Sequence, residues 1–497
     1  MLYYILAAIV ACAVTWVYQR WLKVRNFWAA RGVPHSPPSP ILGSLTFLQK
    51  LNIGLWMRQM NEDFRTPYIG IWLFWRPALI INSPEIARRV LTKDFGSFRN
   101  RFVASGDSDP IGKRNLFMSK EPEWSPLRKR LTGAFTAAKL RNSQNFIRSK
   151  SKEFVQRIQK ERNTKICLKS LLVDYTTDVI GTSAYGVACN GTLTGKDHIR
   201  SAADAFMEYS PLRGLGNSCF FFFPELVDVF RFKFFPKPAT DNLRKIFNAA
   251  AAQREGSGTV GETGDLFDAL LKLRKENTAN NEGYSEDTII AQASIFLLVG
   301  GETTGSLLTF ILYELAFQQD IQQKLYEELA EATKRNGSDD FTAEQLADMI
   351  YLNCVIKEAL RKHAVMGWLD RVATTDYQID DKLTIKAGTP VYINAMGMHY
   401  NPDYFPNPKK FDPDRFLPEN EKDIKPYTFM PFGEGPRNCI GQRFAYMSVR
   451  YAVVAVFLNY KVLPLPNTPK PDDVVIEKTG LFYSPGEKLH VEFVPRN

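Results

Sequence analysis

The 497-residue sequence predicts a mainly α-helical protein with small β-sheets, of the α+β class. Three observations support this prediction. An apolar run of helix length opens the chain, a very long helical pattern begins at Ser285, and short alternating segments follow Asp376. With 45% hydrophobic and 23% charged residues, the composition is that of a globular protein, and the length is sufficient to enclose a large cofactor.

The charge and the cysteine content narrow the function classes. The formal net charge is +10, but the basic residues are scattered and no nucleic-acid-binding module is recognisable, so a membrane surface or an acidic protein is a better partner than nucleic acid. The six cysteines lie far apart without a CxxC pair, which is unlike a disulfide scaffold or a zinc site. We therefore expect the catalytic part in a reducing compartment.

Residues 2–18 are uncharged and predict an N-terminal transmembrane helix. Seventeen residues in a helix span ~26 Å, which is just enough for a bilayer core. Basic residues from Arg20 to Arg25 follow this run, so the positive-inside rule places the rest of the chain in the cytoplasm. A cleaved signal peptide is the alternative, but no basic segment precedes the run, and bulky Trp16 and Tyr18 stand where small residues would mark cleavage.

The N-terminal pattern also predicts the domain organisation. We assign residues 1–26 to the membrane anchor and residues 27–45 to a hinge, because four prolines between Pro34 and Pro40 stiffen the chain there. Residues 46–497 are assigned to one catalytic domain.

The segment 285–329 predicts a long helix, with Ser285 as its N-cap and acidic residues in its first turn. Because Glu302 is the only formal charge between Ile289 and Tyr313, a second transmembrane helix is one interpretation. Glycines, an acid and two hydroxyls in the middle of the run favour a buried central helix instead. Residues 341–363 predict another helix, and residues 376–400 predict short strands.

The segment 219–235 contains eight phenylalanines and leaves two interpretations open. These side chains either pack in the core or, together with neighbouring Arg231, Lys233 and Lys237, rest on a membrane surface.

The segment "PFGEGPRNCIG", residues 431–441, predicts a loop that holds the sulfur of Cys439 in a fixed position. Gly433 and Gly435 allow positive φ, and a helical pattern follows the cysteine, so backbone amides and a helix dipole favour a thiolate. Arg437 supplies a cation that suits a carboxylate of the same ligand. A thiolate with a carboxylate clamp indicates haem.

This segment resembles the haem-binding loop of the cytochrome P450 monooxygenases, and the resemblance extends over nearly the whole chain. "EALR" supplies Glu358 and Arg361, and "FDPDRF" supplies Arg415, which in this family form a buried charge cluster that locks the fold. The resemblance implies haem b (iron protoporphyrin IX) with Cys439 as its iron ligand. It further implies haem contacts from a larger set: Arg101, Trp124, Arg128, Gly300, Arg371, Phe432, Gly433 and Arg437.

The motif "VGGETT" resembles the oxygen-activation motif of the same family. The resemblance implies that Gly300 opens the helix above iron, that the Thr303 hydroxyl hydrogen-bonds at the oxygen site, and that Glu302 relays protons. Two departures from the family pattern are visible: Val299 replaces a small alanine, and Ala364 stands where the family has a proline-containing turn. The first departure narrows the space above the iron.

The chain looks most similar to microsomal insect enzymes related to the vertebrate drug-metabolising group. This implies insertion of one oxygen atom from O2 into lipophilic xenobiotics, such as plant toxins or insecticides, with electrons from NADPH through NADPH-cytochrome P450 reductase, and cytochrome b5 as a further partner. The expected location is the endoplasmic reticulum membrane. An endogenous lipid or hormone hydroxylase, and a membrane-anchored haem- or lipid-binding protein without turnover, are the alternatives. The implied pocket residues are Phe102, Phe296, Val299, Val365, Met366 and Phe482.

Overall fold

Helix is the main regular structure of the chain, at 57% of its residues, which confirms the predicted fold class. The computed structural model describes residues 1–48, 50–162, 164–262, 264–280 and 284–496. Its helices are α1 (Leu2–Arg25), α2 (Ile53–Phe64), α3 (Pro84–Arg88), α4 (Pro110–Arg114), α5 (Trp124–Thr132), α6 (Ala137–Arg141), α7 (Gln144–Glu161), α8 (Leu168–Tyr185), α9 (Gly191–Thr194), α10 (His198–Met207), α11 (Pro211–Phe222), α12 (Leu226–Phe230), α13 (Lys237–Gly256), α14 (Leu266–Asn280), α15 (Glu286–Phe317), α16 (Gln319–Asn336), α17 (Ala343–Asp348), α18 (Ile350–Lys362), α19 (Ala395–His399), α20 (Pro418–Glu421) and α21 (Gln442–Asn459). Its strands are β1 (Tyr68–Leu73), β2 (Arg76–Ile81), β3 (Leu369–Val372), β4 (Tyr377–Gln378), β5 (Thr384–Ile385), β6 (Pro390–Ile393), β7 (Tyr460–Pro464) and β8 (Val491–Pro495).

The chain divides into two compact units, and the first contains most of the strands. It comprises Met1–Phe102, Gly367–Pro406 and Lys425–Arg437. A four-stranded sheet has the order β1-β2-β6-β3, with β2 and β6 parallel and the other pairs antiparallel. The short strands predicted after Asp376 are confirmed as β4, β5 and β6.

The N-terminal helix α1 is apolar and has no buried residue in this unit. Its last turn is fixed to the sheet, because the Trp72 indole nitrogen donates to the Val24 carbonyl at 3.0 Å. Just beyond the helix, Trp28 is almost completely buried and donates to the Ile71 carbonyl, also at 3.0 Å. An exposed apolar helix with an anchored base is what a membrane anchor requires.

The second unit is largely helical and is built around α15. It comprises Val103–Met366, Asn407–Ile424 and Asn438–Asn497, with β7 and β8 paired antiparallel at its C-terminal end. The central helix α15 starts at the predicted N-cap, where the Ser285 hydroxyl accepts from the Thr288 amide. In the most apolar stretch of α15, 83% of the residues are buried. This confirms a buried central helix rather than a second membrane span.

The long helix predicted over 285–329 is divided at Gln318, and the single-helix prediction is wrong there. Gln318 leaves the helical conformation at φ −106° and ψ 72°. The side-chain amide of Gln319 donates to the Ala316 carbonyl at 2.7 Å, and that of Gln322 donates to the Leu315 carbonyl at 2.8 Å. These amides satisfy carbonyls that the helix end would otherwise leave unpaired.

The helix predicted over 341–363 is likewise divided, into α17 and α18, with Met349 between them in an extended conformation. The Glu328 carboxylate of α16 accepts the amides of Tyr351 and Leu352, both at 2.8 Å. A carboxylate at the first turn supplies the acceptors that a new helix N-terminus needs. The break therefore depends on a partner outside the predicted segment.

The phenylalanine-rich segment 219–235 supports the core interpretation for most of its rings. Phe230 is 58% exposed, whereas the other seven are buried. Exposed apolar side chains do occur nearby, at Leu212, Leu215 and Val229.

Candidate active site

The cysteine at the centre of the predicted site lies in the second unit, just before α21. Its thiol is exposed, whereas Cys189 and Cys354 are buried, and burial raises the pKa of each of those two thiols to about 12. The preceding residue is fixed by α5, because the Arg128 guanidinium donates to the Asn438 side-chain oxygen at 2.8 Å. Cys439 thus lies on a segment fixed to α5.

Aromatic packing connects this segment with the central helix inside the same unit. The Phe135 ring follows α5 directly and lies 5.6 Å from the Phe296 ring of α15, in an edge-to-face arrangement. A side chain at Gly441, the N-cap of α21, would come within 3.8 Å of the Phe135 ring. Phe135 therefore packs between α15 and the helix that follows the cysteine. Trp124, at the start of α5, is buried.

The two glycines before the cysteine have the conformation that the sequence predicts. Gly433 has φ +70° and Gly435 has φ +74°, within the first unit. A Cβ at Gly435 would lie 1.9 Å from the Leu91 carbonyl oxygen, so no other residue fits there. Phe432 is half-buried beside them.

Three arginines predicted to contact haem carboxylates form a cluster in the first unit. Arg437 donates through Nε to the Arg99 carbonyl at 2.6 Å, and Arg101 donates to the Arg437 carbonyl at 3.3 Å. Arg371 is 1% exposed and donates to the Asp370 carbonyl at 2.7 Å. The Arg101 guanidinium is 4.0 Å from the Asp370 carboxylate. The cluster therefore holds three cations, of which Arg101 and Arg371 interact with the same carboxylate, that of Asp370.

Arg371 is electrostatically strained in this cluster. Burial, together with the charge of Arg101, lowers the pKa of the Arg371 guanidinium to about 9 against the opposing charge of Asp370. Within the described ranges, its buried Nε has no hydrogen-bond partner. A buried cation with an unsatisfied donor is costly unless an anion completes it, and the carboxylates of haem are anions of this kind.

The central helix is accessible at one short stretch. From Thr288 to Ala316 every residue of α15 is buried except Val299, Gly300 and Thr303, which are half-buried. The spacing i, i+1 and i+4 places these three residues on one face. The Thr303 hydroxyl donates to the Val299 carbonyl at 2.6 Å. This face carries the hydroxyl that the sequence predicts for oxygen chemistry.

Gly300 has a second neighbour that the sequence did not predict. A Cβ at this position would lie 2.8 Å from a side-chain carbon of Ile180 on α8, and α15 is helical through this turn. The absence of a side chain therefore lets α8 pack closely on α15. The predicted role of Gly300 towards haem stays a prediction.

Glu302 points into a different environment from Thr303. It is 5% exposed and lines a cavity of about 420 Å³ together with Lys169 of α8 and Arg200 of α10. The Lys169 ammonium lies 4.0 Å from the carboxylate. Burial raises the pKa of Glu302, Asp204 adds to this effect, and the charges of Lys169 and Arg200 oppose it.

The three residues of the predicted structural lock lie together inside the second unit. Glu358 and Arg361 are both fully buried, and Arg361 donates twice to the carboxylate at 2.7 and 2.8 Å. The Asp412 amide donates to Glu358 at 2.8 Å, and the Arg415 guanidinium lies 3.6 Å from it. The pair therefore ties α18 to the segment before α20.

The predicted pocket residues are apolar and mostly buried. In the second unit Val365 and the turn around Phe482 lie together, because the Tyr483 amide donates to the Val365 carbonyl at 2.8 Å. Phe102 belongs to the first unit, where the Arg76 guanidinium lies 5.3 Å from its ring centroid. The side chains concerned are Phe102, Phe296, Val299, Val365, Met366 and Phe482, of which Val299 and Met366 are half-buried.

The sequence did not predict three residues that contact predicted site residues: Lys169 lies near Glu302, Asn438 accepts from Arg128, and Phe135 packs on Phe296. Asn438 could have been proposed from its place beside the cysteine. Lys169 gives no comparable signal, because a lone lysine in the first turn of a helix is ordinarily a solvated surface residue.

Comparison with known proteins gives a consistent result. The family model described as Cytochrome P450 matches residues 34–489. The chain is 33% identical to Cytochrome P450 6k1 of Blattella germanica, over 98% of this chain and 95% of that protein. It is 34% identical to Cytochrome P450 6j1 of the same cockroach, over 89% and 88%. It is also 34% identical to Probable cytochrome P450 6g2 of Drosophila melanogaster, over 89% and 90%.

Proposed function

The chain belongs to the cytochrome P450 family and is a haem-thiolate monooxygenase of the insect type, and we propose that it inserts one oxygen atom from O2 into lipophilic small molecules. Xenobiotics such as plant toxins or insecticides are the proposed substrates. The observation that carries this proposal is the short half-buried face of α15, which presents the Thr303 hydroxyl on an otherwise buried helix.

We assign the iron ligand to Cys439. The support is that its thiol is exposed and that α21 begins three residues later, so the helix dipole favours the thiolate. Haem bound by a cysteine thiolate supplies dioxygen activation. Arg101, Arg371 and Arg437 are assigned to the haem carboxylates, and the unsatisfied Nε of Arg371 within the described chain supports this assignment. Trp124 and Arg128 are assigned to the same task.

We assign proton delivery to Glu302 and Thr303. The Thr303 hydroxyl lies on the half-buried face, and its hydrogen bond to the Val299 carbonyl fixes its orientation. Glu302 is a carboxylate whose pKa is raised chiefly by burial, so it exchanges protons closer to neutrality than an ordinary glutamate does. A proton donor and an orienting hydroxyl on consecutive residues suit a reaction that consumes protons.

The proposed substrate class follows from the chemistry of the pocket residues. Phenylalanine, valine and methionine side chains offer dispersion contacts and no charge, so they discriminate weakly among apolar molecules of suitable size. We therefore expect several lipophilic substrates rather than one.

We propose NADPH-cytochrome P450 reductase as the electron donor, with cytochrome b5 as a further partner. The net charge of +10 suits an acidic docking face. We place the enzyme in the endoplasmic reticulum membrane through α1. Exposed apolar side chains of the second unit, at Leu212, Leu215, Val229 and Phe230, support a further contact with lipid.

The iron ligand is tested by replacing Cys439 with serine. The reduced carbon monoxide complex of the wild type should show the long-wavelength Soret band of thiolate ligation, and Cys439→Ser should lose it. Cys167→Ser, which removes a half-buried thiol, is the matched control and should retain the band. Retention of the band in Cys439→Ser would overturn the assignment.

The substrate class is tested with a panel of lipophilic compounds screened for substrate-induced spectral shifts. Compounds that shift the spectrum are then incubated with reductase and NADPH, and the products are identified by mass spectrometry. Products carrying one added oxygen atom from labelled O2 are expected. Binding of the panel without any oxygenated product would contradict the proposal.

A further inference from the structure

The cavity beside Glu302 is lined by several charged residues and is separate from the half-buried face that carries Thr303. Consecutive residues of a helix point about 100° apart, so the two side chains leave α15 in different directions. Glu302 lines the cavity of about 420 Å³, whereas Val299, Gly300 and Thr303 do not. The acid and the hydroxyl therefore face different surroundings.

Charged side chains of both signs surround this cavity, so it is suited to hold water. The polar groups come from α8, α10, α11, α15 and the C-terminal segment 477–488. Its cations are Lys169, Arg200, Arg213 and Lys488. Its acids besides Glu302 are Asp204, Glu208, Glu477 and Glu487. A cavity of this volume with several polar partners accommodates more than one water molecule.

Lys169 is the cation placed to act on the Glu302 carboxylate. Its ammonium lies 4.0 Å from the Glu302 oxygen and 3.4 Å from the Ser484 hydroxyl, to which it donates. Arg200 is occupied elsewhere, because it donates to the carboxylate of Asp174 at 2.7 Å and also pairs with Asp204. Lys169 therefore spans the distance between α15 and the C-terminal segment.

Close packing of α8 on α15 places Lys169 on this side of the helix. A Cβ at Gly301 would lie 3.0 Å from the Thr177 hydroxyl, and one at Gly305 would lie 2.7 Å from a Val173 methyl. The Thr176 hydroxyl donates to the Gly301 carbonyl at 2.7 Å. The glycines thus fix the distance between the helix that carries Lys169 and the helix that carries Glu302.

We propose that Lys169 is a positioning residue for proton delivery: it holds the Glu302 carboxylate at the inner end of this cavity, through which solvent protons reach Thr303. Each turnover consumes two electrons from the reductase and two protons. One oxygen atom enters a C–H or C=C bond of the substrate, and the other leaves as water. Protonated Glu302 passes its proton to the Thr303 side, and the carboxylate is then reprotonated by a proton that cavity water relays from bulk solvent.

This inference rests on the proposed roles of Glu302 and Thr303. The burial that raises the pKa of Glu302 supports it, because such a group exchanges protons readily, and Lys169 limits the rise. Loss of the ammonium should make the carboxyl hold its proton more tightly.

The experiment compares Lys169→Met, Lys169→Arg and Lys488→Met as haem-loaded proteins with reductase. The probe is an ethoxycoumarin, and the readout is the share of NADPH electrons found in product rather than in hydrogen peroxide. Lys169→Met should lower this share several-fold, whereas Lys169→Arg should restore it. Lys488→Met removes a lysine of the same cavity and should leave the share unchanged.

A second readout does not depend on turnover. The carboxyl stretch of protonated Glu302 is identified by its absence from the infrared spectrum of Glu302→Gln, and its intensity is followed against pH. The midpoint should move to higher pH in Lys169→Met and stay near the wild-type value in Lys169→Arg. An unchanged midpoint and unchanged coupling in Lys169→Met, or equal effects of Lys488→Met, would overturn the inference.

Failure of the inference and failure of the proposed function give different results. If Glu302→Gln and Thr303→Ala divert electrons to peroxide but Lys169→Met does not, only the role of Lys169 is wrong. If neither Glu302→Gln nor Thr303→Ala changes coupling, the proton-delivery assignment is itself wrong. The reduced carbon monoxide spectrum confirms equal haem thiolate ligation in every variant.

Discussion

Glu302 and Glu314 are two buried acids on the same helix, α15, yet their surroundings differ. Glu302 faces a cavity, with its nearest cation 4.0 Å away. Glu314 is enclosed: its carboxylate is 2.7 Å from the His363 ring nitrogen and 2.8 Å from the Lys362 ammonium. One acid is adjacent to space for water, and the other is held directly by two partners.

The pKa values of the two acids shift in opposite directions. Burial raises the pKa of both, but at Glu314 the hydrogen bonds from His363 and Lys362, together with the charge of Lys362, outweigh burial, so its pKa lies below the usual range. At Glu302 the more distant Lys169 and Arg200 do not outweigh burial, and its pKa is raised. Distance to the cation therefore decides whether a buried carboxyl is a fixed charge or a proton-exchanging group.

The most severe test of this comparison is Glu314→Ala. Removing the carboxylate leaves His363 without its acceptor and Lys362 with only the exposed Asp472 carboxylate at 2.9 Å, and loss of one partner from a buried ion pair costs about 3–5 kcal/mol. We expect the free energy of unfolding, measured by urea titration of the haem-loaded protein, to fall by that amount.

The control for this variant is Glu331→Ala, which removes an exposed acid 3.9 Å from Arg335 on α16. Exposed pairs contribute about 0–1 kcal/mol, so this control should be nearly neutral. If Glu314→Ala lost no more stability than Glu331→Ala, Glu314 would not be the fixed charge that we describe.

A smaller effect is expected from the titration of His363. Glu314 can only accept a hydrogen bond, so the Nε2 of His363 carries the proton, and burial lowers the pKa of the imidazole. The unfolded chain binds a proton below its usual pKa of about 6.5, whereas the folded chain does not. Stability is therefore lost as pH falls below that value, by up to about 1.4 kcal/mol per pH unit.

His363→Gln keeps an amide donor for Glu314 and removes this titration. Between about pH 6.5 and pH 5, above the range in which Glu314 titrates, its stability should depend on pH less steeply than that of the wild type. His198→Gln, at an exposed histidine, should follow the wild type. Equal slopes for His363→Gln and the wild type would show that His363 titrates normally in the folded protein.

The sequence predicts the helix that carries the two acids, but it does not predict the distant partners that make their surroundings differ. The long apolar run and the N-cap Ser285 predict α15 and its burial, because both signals lie within or beside the helix itself. Its end at Gln318 was not predicted, because Gln322 also donates to the Val462 carbonyl, 140 residues away in the chain, at 2.8 Å. Local patterns do not contain such partners.

The same limit applies to the site. Glu302 and Thr303 are adjacent and belong to a specific motif, so their placement on a buried helix was predictable. Lys169 precedes Glu302 by more than a hundred residues, and only the close packing of α8 at Gly301 and Gly305 brings it near. The partner that sets the pKa of an acid depends on tertiary packing, and a single sequence gives no signal for it.

The smallest expected effect distinguishes the two acids most directly, and it comes from Glu302→Gln. Because burial raises the pKa of Glu302 in the folded protein, the folded state holds the proton more tightly than the unfolded state, and ionisation at higher pH lowers stability. A neutral amide avoids that cost, so Glu302→Gln should be at least as stable as the wild type at neutral pH, within about 1 kcal/mol. The difference should vanish below about pH 4.3, where an ordinary glutamate is also protonated.

Glu314→Gln is the matched control, since the same substitution on the same helix should destabilise. If both variants lost similar stability in urea titrations, the two acids would be equivalent fixed charges, and Glu302 would not be the exchanging one.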